Sequence, residues 1–225
     1  MTLGSTIEGV FAGGLGVLDL EGHTSGIFKR RIQDYAPIEV DGIVGDEHAD
    51  SRVHGGPEKA VHQYAVENYI RLAEAFPSRA SALVPGSLGE NISASGLSEQ
   101  NVHIGDVFVV GTAVLQVSQP RSPCWKINHR FGVDEMSVFI VKTRITGWYY
   151  RVINPGIVRA GDRMTLLERH TDVVSINRFW QVQLAHRPSL EDLATVADAP
   201  GLSPDWKRRL SERLRWLSTQ PSVGP

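Results

Sequence analysis

Along the first ~165 residues, apolar positions come in short runs broken by glycine and asparagine: IEGVFAG, PIEVDGIVG, DVFVVG, AVLQVSQ and RMTLLE. Short runs bounded by turn residues predict strands, and many in series predict a barrel or sandwich. In VFVVGTAVLQV, Val110-Gly111-Thr112-Ala113 suits a tight hairpin with glycine at the corner. The pairs Gly45-Asp46, Gly105-Asp106 and Gly161-Asp162 read as turns that feed strands. One segment breaks the β pattern. AVENYIRLAEAF sets Val66, Tyr69, Ile70, Ala73 and Phe76 at helical spacing, which predicts a helix with those residues on its inner face.

After about Arg169 the period changes to that of helices. A first helix is predicted over residues 173–186. A second begins at Ser189, an N-cap followed by Glu191 and Asp192, and a third at Ser203-Pro204-Asp205, a cap with proline at the first helical position. The third carries Trp206, Leu210, Leu214 and Leu217 on one face and Lys207, Arg208, Arg209, Arg213 and Arg215 on the other. That basic face reads first as a solvated surface, then as a docking site for an acidic protein, and least as a DNA-reading helix. The expected architecture is a mainly β barrel with inserted helices over residues 1–168. A small three-helix domain over 169–220 and a disordered tail over 221–225 follow it.

Composition narrows the class without naming a function. A formal charge of −2 over 225 residues gives no reason to expect nucleic acid or an anionic membrane as partner. No apolar run reaches the roughly 18–20 residues that cross a bilayer. MTLGSTIEGVFAGG lacks a basic start and reads as a strand, so a cytoplasmic location is expected, in keeping with a single cysteine. Aromatics at Trp148-Tyr149-Tyr150, read as exposed, offer either a homodimer contact or a pocket wall.

That cysteine, Cys124, is where the chemistry concentrates. Its plainer reading is a small buried hydrophobe. Yet it sits in VSQPRSPCWKIN, where Pro120 and Pro123 stiffen a loop directly after a strand, and Arg121 and Lys126 favour a thiolate. A second cluster, RVHGGPEKAVHQY, sets His54 in a glycine turn with Lys59 and His62 following; its plainer reading is a hydrogen-bonded turn. The P-loop spacing is missing, and so are the C-x-x-C or H-E-x-x-H partners that zinc needs. PGSLGENIS adds Glu90 and Asn91 in another turn, and HTSGIFKRRI offers Ser25 and Lys29. On residue chemistry alone these describe an acidic or phosphorylated ligand held near a reactive thiol.

Taken in order, VHGGPEKAVHQY, GENIS, VSQPRSPCWKIN and GWYYRVINPG closely resemble MOSC-domain proteins of the YiiM type, over nearly the whole chain. The resemblance implies a β-barrel that binds molybdenum cofactor, with Cys124 as the molybdenum ligand. It implies cofactor contacts from Ser25, Lys29, His54, Lys59, His62, Asn91, Gln119, Arg121 and Lys126. It further implies two-electron reduction of hydroxylamines and N-hydroxylated purines to amines, with His54 and His62 as the expected proton sources. One cysteine cannot hold an iron–sulfur cluster, so electrons are expected from a separate flavin- or iron–sulfur-containing protein. Two other classes stay open at this level: a carrier of the cofactor or its sulfur without turnover, and a cofactor-free thiol enzyme.

Overall fold

The structure, a computed structural model, describes residues 3–18, 22–47, 49 and 55–220. His54 and the tail at 221–225 lie outside the described residues. Among those described, seven strands form a closed barrel: β1 (Gly4–Ala12), β2 (Val61–Ala65), β3 (Ile92–Ala94), β4 (Val107–Val110), β5 (Ala113–Pro120), β6 (Trp148–Asn154) and β7 (Arg163–Glu168). Their order round the barrel is β7-β4-β5-β6-β2-β3-β1, and β1 pairs back onto β7 through Gly4↔Thr165, Ser5↔Met164 and Thr6↔Arg163. All neighbours are antiparallel except β2 and β3. A parallel pair needs a crossover, which helix α1 (Val66–Ala75) and the loops after it supply. The expected hairpin joins β4 to β5 with Val110 opposite Ala113, and Gly111 takes the positive φ of 60° that this corner requires.

The barrel is filled by inward side chains of alternating positions, among them Ile7, Val61, Phe108, Leu115, Val117, Trp148 and Tyr150. Trp148 and Tyr150 are therefore not exposed aromatics, and a dimer contact through them is removed. Strand alternation sends both inward and turns only Tyr149 to the other face. PIEVDGIVG forms strands as expected, but outside the barrel, in a small sheet of Ala36–Glu39, Gly42–Ile43 and Gly156–Val158. Gly105-Asp106 and Gly161-Asp162 do lead into β4 and β7, whereas Gly45-Asp46 precedes no strand among the described residues.

The helices differ from their expected pattern in instructive ways. On α1 Ile70 faces solvent, while Asn68 and Leu72 join Tyr69 inside. The inner face is set by polar partners: Asn68 Nδ2 donates to Glu99 at 2.9 Å and the Tyr69 hydroxyl donates to Glu90 at 2.6 Å. Buried carboxylates need such donors, and hydrophobic periodicity does not register them. The β region also holds α2 (Trp125–Phe131) and α3 (Met136–Thr143), which were not expected.

Three helices follow the barrel: α4 (Ile176–Leu184), α5 (Leu190–Ala197) and α6 (Pro204–Ser218). Ser175 and Ser189 cap the first two through their hydroxyls. Phe179, Trp180, Leu193, Trp206 and Leu210 share one apolar core with the barrel. Polar ties cross the same boundary: Trp180 Nε1 donates to Thr146 at 2.9 Å, the Ser203 amide to Ser118 O at 2.9 Å, and Arg151 to both Glu58 and Gly201 O. The basic face of α6 is largely engaged. Arg208 and Arg209 pair with Asp205, and Arg213 holds the carbonyls of Gln183 and Ala185. Among the described residues, no helix is long and apolar enough to cross a membrane.

The Ser189 cap can be tested by itself, because that serine is exposed and its hydroxyl takes the Asp192 amide at 3.0 Å. Ser189→Ala is expected to lose about 1 kcal/mol in urea unfolding, with site properties unchanged.

Candidate functional site

A solvent-open cleft of about 580 Å³ lies outside the barrel strands, between the 25–29 segment, β2, the 88–91 loop and the start of α2. The sequence dictates how Cys124 reaches it. β5 carries a bulge at Ser118, ends at Pro120, and hands over to an extended stretch in which Pro123 blocks an earlier helix start. Cys124 then occupies the N-cap position of α2, half-buried and lining the cleft.

Arg121 is the most constrained cation. Its amide donates to Gly147 O at 3.1 Å, its Nη2 to Leu88 O at 3.0 Å, and its side chain hydrogen-bonds Tyr149. Its Nη1 is buried with no partner. A buried guanidinium donor without an acceptor is costly unless a ligand supplies one. Lys126 Nζ holds Thr24 O at 2.9 Å and so ties α2 to the opposite wall. Lys29 is buried against Asp46, whose carboxylate also accepts from the Gly13 amide at 3.0 Å and from Asn91 Nδ2 at 2.9 Å. Burial pulls the Lys29 ammonium below its usual pKa range, and Asp46 opposes that shift. Asn91 is fixed in turn, since its Oδ1 accepts the His62 amide at 2.9 Å.

His62 enters the cleft from β2 with its ring against Tyr149, 5.1 Å between centroids. Burial, and then the Arg121 charge, push its pKa well below the ordinary value, although a hydrogen bond to the Gly89 backbone works the other way. Its imidazole is neutral at neutral pH and its Nε2 is buried without a partner. This corrects the expectation that His62 titrates near neutrality and serves as a ready proton source.

That shift carries a stability prediction. Because the folded pKa lies below the unfolded value, the unfolded chain takes up the proton first, so stability present above about pH 6.5 is lost as the pH falls. His62 adds up to about 1.4 kcal/mol per pH unit to that slope. His103, also depressed by burial and by Arg169, acts in the same direction. Urea midpoints between pH 7 and pH 5 should fall less steeply in His62→Asn than in the unmodified protein; equal slopes would show that His62 takes up its proton in the folded chain.

Of the residues expected at the site, Ser25, Lys29, His62, Asn91, Arg121, Cys124 and Lys126 line this cleft. Two do not. Gln119 is buried on β5 beside it, and Lys59, in the short turn Pro57–Lys59, lies instead in the field of Asp205 and Arg209 on α6. A glycine turn followed by a lysine gave no sign that the lysine would neighbour charges on α6. The cleft also includes Ile27, Glu47, Leu88, Gly89 and Tyr149, with Asp46 behind Lys29. PGSLGENIS spans Leu88 and Gly89, HTSGIFKRRI spans Ile27, and the Gly45-Asp46 turn and the Trp148–Tyr150 stretch hinted at Asp46 and Tyr149; Glu47 had no signal.

A family profile for the MOSC domain matches residues 50–165. The protein YiiM of Escherichia coli (strain K12) is 39% identical over 199 residues, 86% of each chain. The chain belongs to the MOSC-domain family. The crystal structure of YiiM from E. coli superimposes with a TM-score of 0.79 at 30% identity, covering 94% of this chain and 93% of that one. A protein named reductase from Gibberella moniliformis is 36% identical over 79% of this chain, which spans 32% of that longer protein. In this MOSC barrel, no three His, Cys, Asp or Glu side chains among the described residues converge to hold a metal ion. The site offers one thiol and an unsatisfied guanidinium instead. That set suits a metal delivered inside an anionic, sulfur-bearing cofactor better than a bare ion.

Proposed function

We propose that the cleft holds molybdenum cofactor, with Cys124 as the protein's molybdenum ligand, and that the protein reduces N-hydroxylated compounds, hydroxylamines and N-hydroxylated purines, to their amines. The observation that carries the reading is the buried, unpartnered Nη1 of Arg121 in the same cleft as the chain's single thiol. Lys29, Arg121 and Lys126 would take the cofactor's phosphate and pterin oxygens, and Ser25 and Asn91 would supply hydrogen bonds around them. The cofactor, when bound, supplies the two-electron redox couple.

The overall change is R–NHOH + 2e⁻ + 2H⁺ → R–NH₂ + H₂O. The chain's share is to place the substrate, exclude water from one side and pass protons. His62 does not serve as an imidazolium donor at neutral pH; its neutral ring and the Tyr149 hydroxyl form a hydrogen-bonding wall. Cys124 cannot build a cluster alone, so electrons come from a partner protein with flavin or iron–sulfur, in a cytoplasm that keeps the thiol reduced. The relative named reductase supports this class of reaction.

The test is a chemical reduction assay. Protein from a cofactor-competent host, reduced with dithionite and freed of excess, is expected to convert hydroxylaminopurine to aminopurine at one product per molybdenum. Bound molybdenum without product would leave a carrier role, and product from molybdenum-free protein would indicate thiol chemistry.

A further inference from the structure

A second depression adjoins the cleft, a groove of about 770 Å³ whose lining includes Lys29, Arg31, Gly86, Ser87 and Arg130. Among the described residues lining it there are three cations and no carboxylate; Lys29 is already paired with Asp46, which leaves the charges of Arg31 and Arg130, in a chain whose formal charge is −2. Lys29 borders both spaces, and one loop forms the wall between them. Gly86 and Ser87 face the groove; Leu88 and Gly89 face the cleft.

Two guanidinium groups hang from neighbouring carbonyls of this loop. Arg121 Nη2 meets Leu88 O at 3.0 Å on the cleft side, and Arg130 Nε meets Ser87 O at 3.2 Å on the groove side. Arg130 also lies over the Phe28 ring, 4.5 Å from its centroid. Those two contacts fix its plane and leave both Nη groups without a hydrogen-bond acceptor among the described residues. Arg31, on the two-residue strand Arg30–Arg31 that pairs with the end of β1, also lines the groove, with one Nη donating to Glu8 O. A held, unpaired guanidinium fork matches a phosphate, to which it donates two bonds at once.

We propose that this groove is a phosphate subsite for the substrate, so that the compound reduced is an N-hydroxylated nucleotide with its base in the Cys124 cleft and its phosphate between Arg31 and Arg130. The assignment of the base rests on the proposed reduction; the phosphate subsite stands on the groove alone. The cofactor's own phosphate has the same chemistry, and the two sources separate experimentally.

Cofactor-free protein is titrated calorimetrically with 5′-AMP and with adenosine. The expected result is a preference of roughly tenfold or more for the nucleotide, lost in Arg130→Gln, reduced in Arg31→Gln and partly restored in Arg130→Lys. Circular dichroism of each variant checks that it folds, and Arg31→Gln, on an exposed edge, keeps the test open should Arg130→Gln unfold. Equal affinities, or a preference that survives both glutamine variants, would overturn the subsite. Molybdenum content of Arg130→Gln from a cofactor-competent host supplies the other arm: metal lost to the level of Cys124→Ala would assign the groove to the cofactor's phosphate and sink the proposal. Failure to reduce either hydroxylaminopurine or its nucleotide, with AMP preference intact, would remove the proposed reduction while leaving the phosphate subsite standing.

Discussion

Cys124→Ala protein from a host that makes molybdenum cofactor is expected to contain no molybdenum above background, while the unmodified protein carries close to one per chain. The contrast should be this sharp because the substitution removes the chain's single thiol, and the described residues lining the cleft include no second sulfur ligand to replace it. Reduction of hydroxylaminopurine should fall by more than the roughly hundredfold that loss of an outer-layer partner costs a metal site. Folding should be nearly untouched. Cys124 is half-buried, caps α2 without a side-chain bond, and loses little packing as alanine. A melting temperature unchanged beside an empty site separates ligation from stability. Full metal content in the variant would instead put cofactor retention on Arg121 and the lysines.

Gly147→Ala should be a strongly damaging addition of a single methyl group. Gly147 has φ near 70°, and a Cβ there would stand 2.4 Å from Gln63 O, 2.9 Å from the Tyr64 ring and 3.0 Å from His62 Nε2. The first of these is backbone in a barrel strand, which cannot swing aside. Left-handed backbone costs about 1–2 kcal/mol for alanine and overpacking about 1–3 more, so a loss of roughly 2–5 kcal/mol in urea unfolding is expected. The damage reaches the site as well. The Gly147 amide is held by Glu99 at 2.8 Å and its carbonyl receives the Arg121 amide at 3.1 Å. Displacing it moves Arg121 and the His62 ring together, so a variant that still folds should also retain less molybdenum. A variant with normal stability would mean that the strand yields where the barrel packing says it cannot.

Gly147 also marks the limit of what the sequence disclosed. Strand runs, the hairpin at Gly111 and the three C-terminal helices were legible because each depends on local periodicity and turn residues. Ser25, Lys29, Asn91, Arg121 and Lys126 were picked out beside Cys124 by residue type and motif, and they meet in one cleft. What stayed hidden depends on partners distant in the chain. Glu99 governs Gly147 from 48 residues away. Glu90, read as an ordinary turn residue, is buried and gathers the Tyr69 hydroxyl, the Ser93 hydroxyl and the Gly86 amide on one oxygen. Lys59 left the site because it sits in the turn before β2 and is drawn toward α6. The His62 shift likewise comes from tertiary burial, which its flanking residues do not encode.

The pairing of β1 with β7 joins residues 4–6 to residues 163–165. During synthesis the first strand must therefore wait, with one edge unpaired, until nearly three quarters of the chain has emerged. Contacts so distant in sequence make for slow folding, and the cleft, drawing on residues from 25 to 149, takes shape only near the end of that wait. A nascent chain stopped short of Arg163 should be a client of chaperones, with no place yet for a ligand to bind.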